Sequence, residues 1–433
     1  MKKQQKHHGF FIWLKKLYKN SKILYNKYGG IIMLERNLYL DKIKKLKDKQ
    51  IIKVITGIRR CGKSTILKLY KQYLIEQGVD EKQIISINFE DNNYNELLDT
   101  DKLHEYIIKR LDSEKMNYIF LDEIQMVPNF EKCINSIFLR DNVDIYITGS
   151  NSYMLSGELA TFLTGRYMEI HVLPLSFKEY LSYYGESDIQ IKYSKYLENG
   201  GFPYLINLDQ DKELIYNYLD SIYTTVIMKD IISRKQINDV LILESVIRFL
   251  FDNIGSLCST KKISDTLISM GRKNSVNTIE SYINALTESY IMYRVHRYDI
   301  KGKQHLKTLE KYYLADMGLR NYLLGNKSNT NMGYVLENIV FLELKRRGYE
   351  IYIGKNDTEE VDFVVSNQDG LRYIQVALSV KDEKTLEREL KPLNNIKDHF
   401  PKVIITFDFE PVTYHNGIKQ INIIDFLLDK EKI

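Results

Sequence analysis

The chain contains few of the residues that mark several classes of protein. It has 3 cysteines, 6 prolines and 1 tryptophan among 433 residues, and Cys61, Cys133 and Cys258 lie far apart. An odd number of distant cysteines argues against a disulfide framework and is typical of a reducing, cytoplasmic compartment. No apolar run is long enough to cross a bilayer, and the run at residues 10–14 lacks a signal-peptide cleavage pattern. The sequence therefore predicts a cytoplasmic protein without a membrane span.

Positive charge is concentrated at the start of the chain. The formal net charge is +5, but residues 1–32 contain eight lysines and no acidic residue, which leaves −3 for residues 33–433. The body of the protein is therefore not basic overall, and its charge does not by itself indicate nucleic acid as a partner. The leader is predicted to be disordered, either as a basic arm for a membrane surface or nucleic acid, or as an incidental extension before a true start at Met33.

A glycine-bounded segment near residue 60 follows an apolar run. Residues 57–64, GIRRCGKS, fill the pattern G-x-x-x-x-G-K-[ST], and residues 51–56 precede them as a strand would. Glycines let backbone N–H groups converge on phosphate oxygens, and the following helix adds the positive end of its dipole. The alternative is an ordinary helix start after a glycine turn. The candidate phosphate-binding residues are Gly57, Ile58, Arg59, Arg60, Cys61, Gly62, Lys63, Ser64 and Thr65.

Three residues of this segment have separate predicted roles. Lys63 would supply the mobile positive charge that reaches the outer phosphates. The Ser64 hydroxyl would help to hold Mg²⁺, which prefers oxygen ligands. Cys61 would have a lowered pKa if it were exposed in such a loop, but a small filler residue is the preferred interpretation.

The apolar run at residues 116–121 ends in two adjacent carboxylates. A strand of a parallel sheet would deliver both to the edge where phosphates bind. Asp122 would hold Mg²⁺, usually through water, and Glu123 would polarise the attacking water. This pair predicts a nucleoside-triphosphate hydrolase, and the alternative is a strand followed by a charged turn.

Two other polar positions extend the predicted site. The strand at residues 144–149 ends in Ser150-Asn151-Ser152, and Asn151 is a candidate sensor of the terminal phosphate. Arg166 precedes the strand at residues 167–172 and is a candidate finger that stabilises transition-state charge, often on a neighbouring subunit's nucleotide. That role would require a homo-oligomer, and a surface ion pair is the alternative for Arg166.

These motifs resemble those of the AAA-type ATP-binding proteins of bacteria and archaea. The resemblance rests on GIRRCGKS, YIFLDEIQ, ITGSNSYML, GRYMEIHVLPLSFKEYL and GGFP, and extends from Met33 to the C-terminus. More narrowly, the chain resembles the subset whose C-terminal region is a domain of unknown function with a restriction-endonuclease-like core. The resemblance implies ATP as the nucleotide and a five-stranded parallel sheet with the phosphate-loop strand central, followed by a helical lid and a winged helix.

Alternating strands and helices up to about residue 172 independently predict an α/β fold with a parallel sheet. The complete expected fold is a P-loop NTPase sheet with a helical lid, a winged-helix module and a small α/β endonuclease-like domain. The predicted domains are the leader at 1–32, the ATPase domain at 33–173, the lid at 174–236, the winged-helix module at 237–325 and the C-terminal domain at 326–433.

Residues 237–321 show a pattern of three helices followed by two aromatic-rich strands around residues 301–303. This order is typical of a winged helix, and the helix at 275–289 would be its recognition-type helix. Its polar face and the wing lysines could contact DNA. Glu280 and Glu288 on the same helix instead favour a protein contact or a hinge role.

The C-terminal segment partly matches the endonuclease scheme that the resemblance implies. Glu337 on a helix and Asp362 on a strand match its Mg²⁺ ligands, whereas Gln375 and Ala377 stand where a third carboxylate and a lysine belong. Losing both groups predicts a catalytically dead fold that is used for binding. The alternative is an active site completed by a lysine from further along the chain, Lys381 or Lys384.

Together these patterns predict an ATP- and Mg²⁺-dependent AAA-type ATPase whose nucleotide cycle switches its winged-helix and C-terminal binding domains. Two alternatives remain: a nucleotide-gated DNA- or protein-binding switch with negligible turnover, and an ATP-licensed nuclease. A protein client and DNA are the candidate macromolecular partners.

Overall fold

The computed structural model describes residues 23–25, 32–152, 165–237, 239–325 and 331–433. The chain divides into two compact units, the first comprising Met1–Ser194 with Phe202–Asp211 and the second Lys195–Gly201 with Lys212–Ile433. Most of the predicted leader lies outside the described residues. β1 (Ile23–Tyr25), inside the predicted leader, pairs antiparallel with β2 (Ile32–Leu34), which extends past the end of the leader.

A five-stranded sheet lies at the centre of the first unit. Its strands are β3 (Ile52–Thr56), β4 (Ile84–Asn88), β5 (Asn117–Asp122), β6 (Val143–Thr148) and β7 (Tyr167–His171). Their order is β4-β5-β6-β3-β7, and every neighbouring pair is parallel, which confirms the predicted parallel sheet. β3 is an interior strand between β6 and β7, one place from the edge, whereas the resemblance implied the central position.

Helices cover this sheet because alternate residues of its strands are apolar on the same face. Ile52 and Val54 of β3 and Ile119 and Leu121 of β5 pack in one buried cluster with Ile134. The helices of the first unit are α1 (Asn37–Lys45), α2 (Lys63–Glu76), α3 (Thr100–Ile108), α4 (Phe130–Phe138) and α5 (Phe177–Tyr184), and α6 (Ile189–Asn199) begins in it.

A charged pair is buried in the middle of the same sheet. Lys53 of β3 and Asp144 of β6 are in contact, and both side chains are 0% exposed. The Lys53 ammonium also donates to the Lys49 carbonyl at 2.8 Å, and the Tyr146 hydroxyl donates to Asp144 at 2.7 Å. Burial lowers the pKa of Lys53 and raises that of Asp144, and each partner's charge opposes the shift. The pair therefore depends on both members being present.

Helices and a hairpin form the first part of the second unit, in the order that the sequence predicts. They are α7 (Lys212–Ile222), a π-helical segment (Tyr223–Ile231), α8 (Ile232–Lys235), α9 (Val240–Asp252), α10 (Thr260–Ser269), α11 (Val276–Glu288), β8 (Met292–Asp299), β9 (Gln304–Leu314) and α12 (Met317–Leu324). Ser275 caps α11 by accepting from the Thr278 N–H at 3.1 Å. On α11, Glu280 pairs with Arg294 at 2.9 Å.

The hairpin continues into a mixed sheet of eight strands. The later elements are α13 (Met332–Arg346), β10 (Glu350–Asn356), β11 (Glu359–Asn367), β12 (Gly370–Ala377), α14 (Glu383–Asn394), β13 (Lys402–Thr406), β14 (Thr413–His415), β15 (Ile418–Asn422) and α15 (Ile423–Leu427). The strand order is β14-β15-β13-β12-β11-β10-β8-β9, and β8 pairs with β10 in parallel. The predicted boundary between residues 325 and 326 therefore falls between strands of one sheet.

None of the helices in the described ranges combines the length and the apolar character that crossing a bilayer requires.

Asp316 is a buried carboxylate at the start of α12. It accepts from the Leu319 N–H at 3.1 Å and from the Gly201 N–H at 2.6 Å. Gly200 is required beside it, because a Cβ there would lie 2.2 Å from Asp316 Oδ1. Burial raises the pKa of Asp316 to about 6, although the backbone N–H donors oppose the shift.

Replacement of Asp316 by Asn should change how stability depends on pH. The folded pKa of Asp316 lies above the ordinary value of 3.8, so its favourable contribution is complete below about pH 4 and is lost as the pH rises through 6. We expect the stability of wild type relative to Asp316→Asn to fall by about 3 kcal/mol between pH 4 and 7. Urea unfolding of both proteins across this range measures the difference. The exposed-residue control, Asp265→Asn, should show no such trend, and a pH-independent difference for Asp316→Asn would contradict the assignment.

Candidate nucleotide-binding site

The loop after β3 has the backbone geometry that its glycines permit. Gly57 and Gly62 have φ angles of 140° and 100°. A Cβ on Gly57 would lie 2.1 Å from the Val172 carbonyl oxygen, so no larger residue fits there. Arg60 adopts a left-handed conformation, with φ of 68°. The loop therefore turns sharply between β3 and the first residue of α2.

Cys61 is a buried filler in this loop, in agreement with the preferred interpretation. Its side chain is 0% exposed, and burial raises the pKa of its thiol. The Cys61 carbonyl accepts a hydrogen bond from Arg36 Nη1 at 2.8 Å, so the backbone at Cys61 is tied to another part of the unit.

Lys63 begins α2 and turns back into the loop. Its side chain is 3% exposed, and its Nζ donates to the carbonyls of Gly57 at 3.0 Å and Ile58 at 3.3 Å. The same Nζ lies 3.8 Å from Glu123 Oε1. The ammonium is therefore held inside the curve of the loop, next to one of the two predicted carboxylates.

Asp122 and Glu123 lie at the carboxyl end of β5, beside the loop. Asp122 Oδ1 accepts from the Thr148 hydroxyl at 2.5 Å, and its carboxylate also hydrogen-bonds with Ser64. Burial raises the pKa of Asp122, against the effect of these two hydrogen bonds. Glu123 is in the left-handed region with φ of 56°, a conformation that costs a non-glycine residue free energy and is common at functional sites.

Thr148 connects the Asp122 carboxylate to the backbone of Glu123, a role that the sequence did not reveal. Its hydroxyl donates to Asp122 and accepts from the Glu123 N–H at 2.9 Å. Thr148 is the last residue of β6, which pairs with both β5 and β3. The neighbouring strand therefore fixes the orientation of both acidic residues.

Gln125 is a second polar residue that sequence reasoning missed. Its Nε2 donates to Glu123 Oε2 at 2.5 Å and lies 3.5 Å from Ser150 Oγ. Its Oε1 is buried and has no hydrogen-bond partner among the described residues. The amide thus orients the Glu123 carboxylate and offers an acceptor at the same place. Gln125 stands two residues after Glu123 in the motif LDEIQ, and this position could have indicated its role.

The remaining loop and sensor residues lie in the same unit. Asn151 is 5% exposed and follows the end of β6, at the sheet edge that carries Asp122. Arg59 is partly exposed and pairs with Glu90 at 2.6 Å. Thr65 is half-buried in the first turn of α2.

Arg166 is not brought to this site within its own chain. The Ile52 N–H donates to the Arg166 carbonyl at 2.8 Å, which places Arg166 at the start of β3 and β7, whereas the loop follows the end of β3. Its guanidinium hydrogen-bonds to Asn135 and lies 5.9 Å from the Phe138 ring centroid. Only action on another subunit's nucleotide remains compatible with the predicted finger role.

Arg36 holds the backbone of the loop in place, a role that the sequence did not predict. It is 2% exposed and forms a bidentate pair with Glu179, at 2.9 and 3.0 Å. It also donates to the carbonyls of Cys61 and Leu173, both at 2.8 Å. Because the two partners of the ion pair are separated by 143 residues, no local pattern could reveal the contact.

A polar cavity lies in the second unit. Glu337, Asp362 and Gln375, which the sequence compared with the endonuclease scheme, line it together. The lysine that lines the cavity is Lys311. Neither of the lysines predicted as a replacement, Lys381 and Lys384, lines the cavity, and both are exposed.

Comparison with known families defines the class of the protein. Residues 49–181 match the family model of an AAA domain, and residues 190–330 match that of a domain of unknown function. The chain is therefore an α/β protein with an AAA-type P-loop domain. An uncharacterised protein of Haemophilus influenzae is 40% identical over 402 residues, which cover 92% of this chain and 99% of that protein. An uncharacterised protein of Methanocaldococcus jannaschii is 32% identical over 403 residues, which cover 87% of each chain. The protein belongs to the family that these two represent.

Solved structures resemble the chain more distantly. A Walker-type ATPase of Pyrococcus abyssi has a TM-score of 0.48 and 14% identity, over 67% of this chain and 96% of its own. The Orc1 protein of Aeropyrum pernix, solved in complex with DNA, has a TM-score of 0.31 and 13% identity, over 72% of this chain and 100% of its own. Similarity at this level carries no inference about activity or partners.

Proposed function

We propose that the protein binds ATP with Mg²⁺ at the loop of residues 57–65 and hydrolyses it. One observation carries the proposal: Lys63, from the loop, and the acidic pair at the end of β5 lie together, with Lys63 Nζ 3.8 Å from Glu123. A flexible ammonium beside a carboxylate at a glycine loop is the arrangement that phosphate transfer to water needs. Adenine as the base rests on the family resemblance.

Ser64 and Asp122 would hold the Mg²⁺. A hydroxyl and a carboxylate in mutual contact supply the hard oxygen ligands that this ion prefers. The bound cation would neutralise charge on the phosphate oxygens and would favour the ionised form of Asp122, whose pKa burial raises.

The chain's own residues then divide the remaining work. Lys63 would exchange the Gly57 and Ile58 carbonyls for outer phosphate oxygens. Glu123, oriented by Gln125, would accept a proton from the attacking water. Asn151 would sense the terminal phosphate. Arg166 would act on the nucleotide of a neighbouring copy, which requires a homo-oligomer.

We further propose that the nucleotide cycle changes the binding activity of the residues that follow the AAA domain. Residues 237–325 would be the winged-helix module, which binds a protein client or DNA, and residues 326–433 an endonuclease-like binding domain. On α11, the ion pair between Glu280 and Arg294 supports a protein contact over a purely basic DNA surface. We place this activity in the cytoplasm, where ATP and Mg²⁺ are abundant.

Phosphate release tests the hydrolysis. Wild type should release phosphate from ATP in the presence of Mg²⁺, and Lys63→Ala should reduce the rate at least about 100-fold because it removes charge from the phosphate site. Lys68→Ala, on the exposed face of the same helix, is the control and should leave the rate unchanged. Equal release by wild type and Lys63→Ala would refute hydrolysis at this loop. If wild type bound ATP but released no phosphate, and if Lys63→Ala weakened the binding, the protein would instead be a nucleotide-gated binding protein.

A further inference from the structure

In the cavity of the second unit, a lysine lies among the residues that the sequence compared with the endonuclease scheme. The volume of the cavity is about 560 Å³, and its lining includes Glu337 of α13, Glu360 and Asp362 of β11, Gln375 of β12 and Lys311 of β9. Lys311 comes from β9, whereas the resemblance expects a lysine at the position on β12 that Ala377 occupies.

The Lys311 ammonium lies where three carboxylates converge. Its side chain is 3% exposed, and its Nζ is 2.8 Å from Glu337 Oε1, 2.7 Å from Glu360 Oε1 and 3.7 Å from Asp362 Oδ1. Burial alone lowers the pKa of Lys311, but the charges of these carboxylates raise it by more. The carboxylates therefore favour the charged form of the ammonium.

The residues do not fit the divalent cation that the endonuclease resemblance implies. Mg²⁺ binds oxygen ligands at about 2.1 Å, whereas these oxygens are spaced for hydrogen bonds to an ammonium. The Lys311 ammonium occupies the point where these oxygens converge, so a metal ion on Glu337 and Asp362 would have to displace it. Across the described ranges, no group of three or more His, Cys, Asp or Glu residues is arranged to hold a metal ion.

Gln375 does not restore the missing ligand. Its Oε1 accepts from the Asp362 N–H at 3.3 Å, and its Nε2 donates to Glu389 at 3.1 Å. Asp362 Oδ2 in turn accepts from the Val376 N–H at 2.8 Å. The amide is thus used to position neighbouring groups, and its oxygen faces a backbone donor.

We propose that Lys311 is a built-in cation that takes the place of a divalent metal ion in this cavity. The side chain supplies the positive charge that holds the carboxylates of Glu337, Glu360 and Asp362 together, so the cavity is a metal-independent site. Metal-activated cleavage of a phosphodiester there would require this ammonium to be displaced, so the proposal argues against the ATP-licensed nuclease. The proposal does not depend on ATP hydrolysis.

Manganese binding tests the proposal, with Mn²⁺ alone as the probe and without nucleotide. At sub-millimolar metal, the electron paramagnetic resonance signal of free Mn²⁺ should show no binding to wild type that Asp362→Asn removes. Lys311→Met removes the ammonium but keeps a side chain of similar length, and it should bind about one Mn²⁺ per chain. Adding Asp362→Asn to that variant should weaken the binding at least about tenfold, because a charged ligand is lost.

Controls separate this site from others. Lys301→Met removes an exposed lysine that pairs with Asp357 at 2.7 Å in the same unit, and it should create no Mn²⁺ site. Wild-type binding of one Mn²⁺ that Asp362→Asn abolishes would overturn the proposal, as would a folded Lys311→Met that binds none. If Lys311→Met folds only when Mn²⁺ is added, as circular dichroism would show, the proposal is supported. If it does not fold even then, Lys311→Gln, which also removes the charge and keeps all three carboxylates, is measured in its place, and failure of that variant to bind Mn²⁺ when folded overturns the proposal.

Discussion

Replacing Glu123 by Gln should reduce phosphate release from ATP at least about 100-fold while leaving ATP bound, the loss expected when a general base is removed. Gln keeps the size of the side chain but cannot take a proton from water. Lys63, Ser64 and the loop N–H groups, which would bind the phosphates, are unchanged by the substitution. Phosphate release and binding of a fluorescent ATP analogue, measured on the same preparation, check the two halves of this expectation.

The control for this experiment is Glu76→Gln, an exposed carboxylate at the last residue of α2. It should leave both measurements unchanged. If Glu123→Gln lost nucleotide binding in proportion to activity, the role of Glu123 would be to support the Lys63 ammonium, 3.8 Å away, and not to activate water. If neither quantity changed, the assignment of Glu123 would be wrong.

Lys53→Met should destabilise the first unit by about 3–5 kcal/mol, the usual cost of removing one member of a buried ion pair. The substitution leaves the Asp144 carboxylate buried without its cation, and both side chains are 0% exposed in the intact pair. The double variant Lys53→Met/Asp144→Leu should recover most of the loss, because no charge then remains uncompensated. Urea unfolding of the three proteins measures these differences.

An exposed ion pair serves as the comparison. Lys109 and Glu105 lie 2.5 Å apart on the protein surface, with side chains 67% and 63% exposed. Lys109→Met should leave stability nearly unchanged, since solvent screens such pairs. If Lys53→Met had an equally small effect, or if the double variant were no more stable than the single one, the buried pair would not have the importance that its burial implies.

Much of the first unit could be predicted because its signals are local. The run at residues 51–56, the glycine loop and the carboxylates after residue 121 are each contiguous in the chain, and each has a backbone or chemical meaning by itself. The parallel order followed from the alternation of strands and helices. By contrast, Thr148 is a common residue type in an unremarkable position, and its contact with Asp122 exists only once β5 and β6 are paired. The contact of Gln125 with Glu123 is local, because the two residues are two positions apart.

In the second unit, fewer of the contacts that form the candidate site could be predicted from the sequence. The sequence predicted its helices and hairpin, and it noted that Gln375 and Ala377 break the endonuclease pattern. The sequence predicted Lys381 or Lys384, on the following segment, as the compensating charge, because a sequence motif relates residues that are close in the chain. The cation that the cavity contains is instead Lys311, from a strand that precedes the helix carrying Glu337.

By itself, the amino-acid order determined the phosphate loop, the acidic strand end and the α/β class, because these depend on neighbouring residues and on the period of apolar side chains. Only the tertiary structure decided which distant side chains hold that loop, as Arg36 does with Glu179. It also decided which cation enters the cavity of the second unit. The physical reason is that burial and charge pairing arise between segments that become neighbours only when the sheets and helices pack.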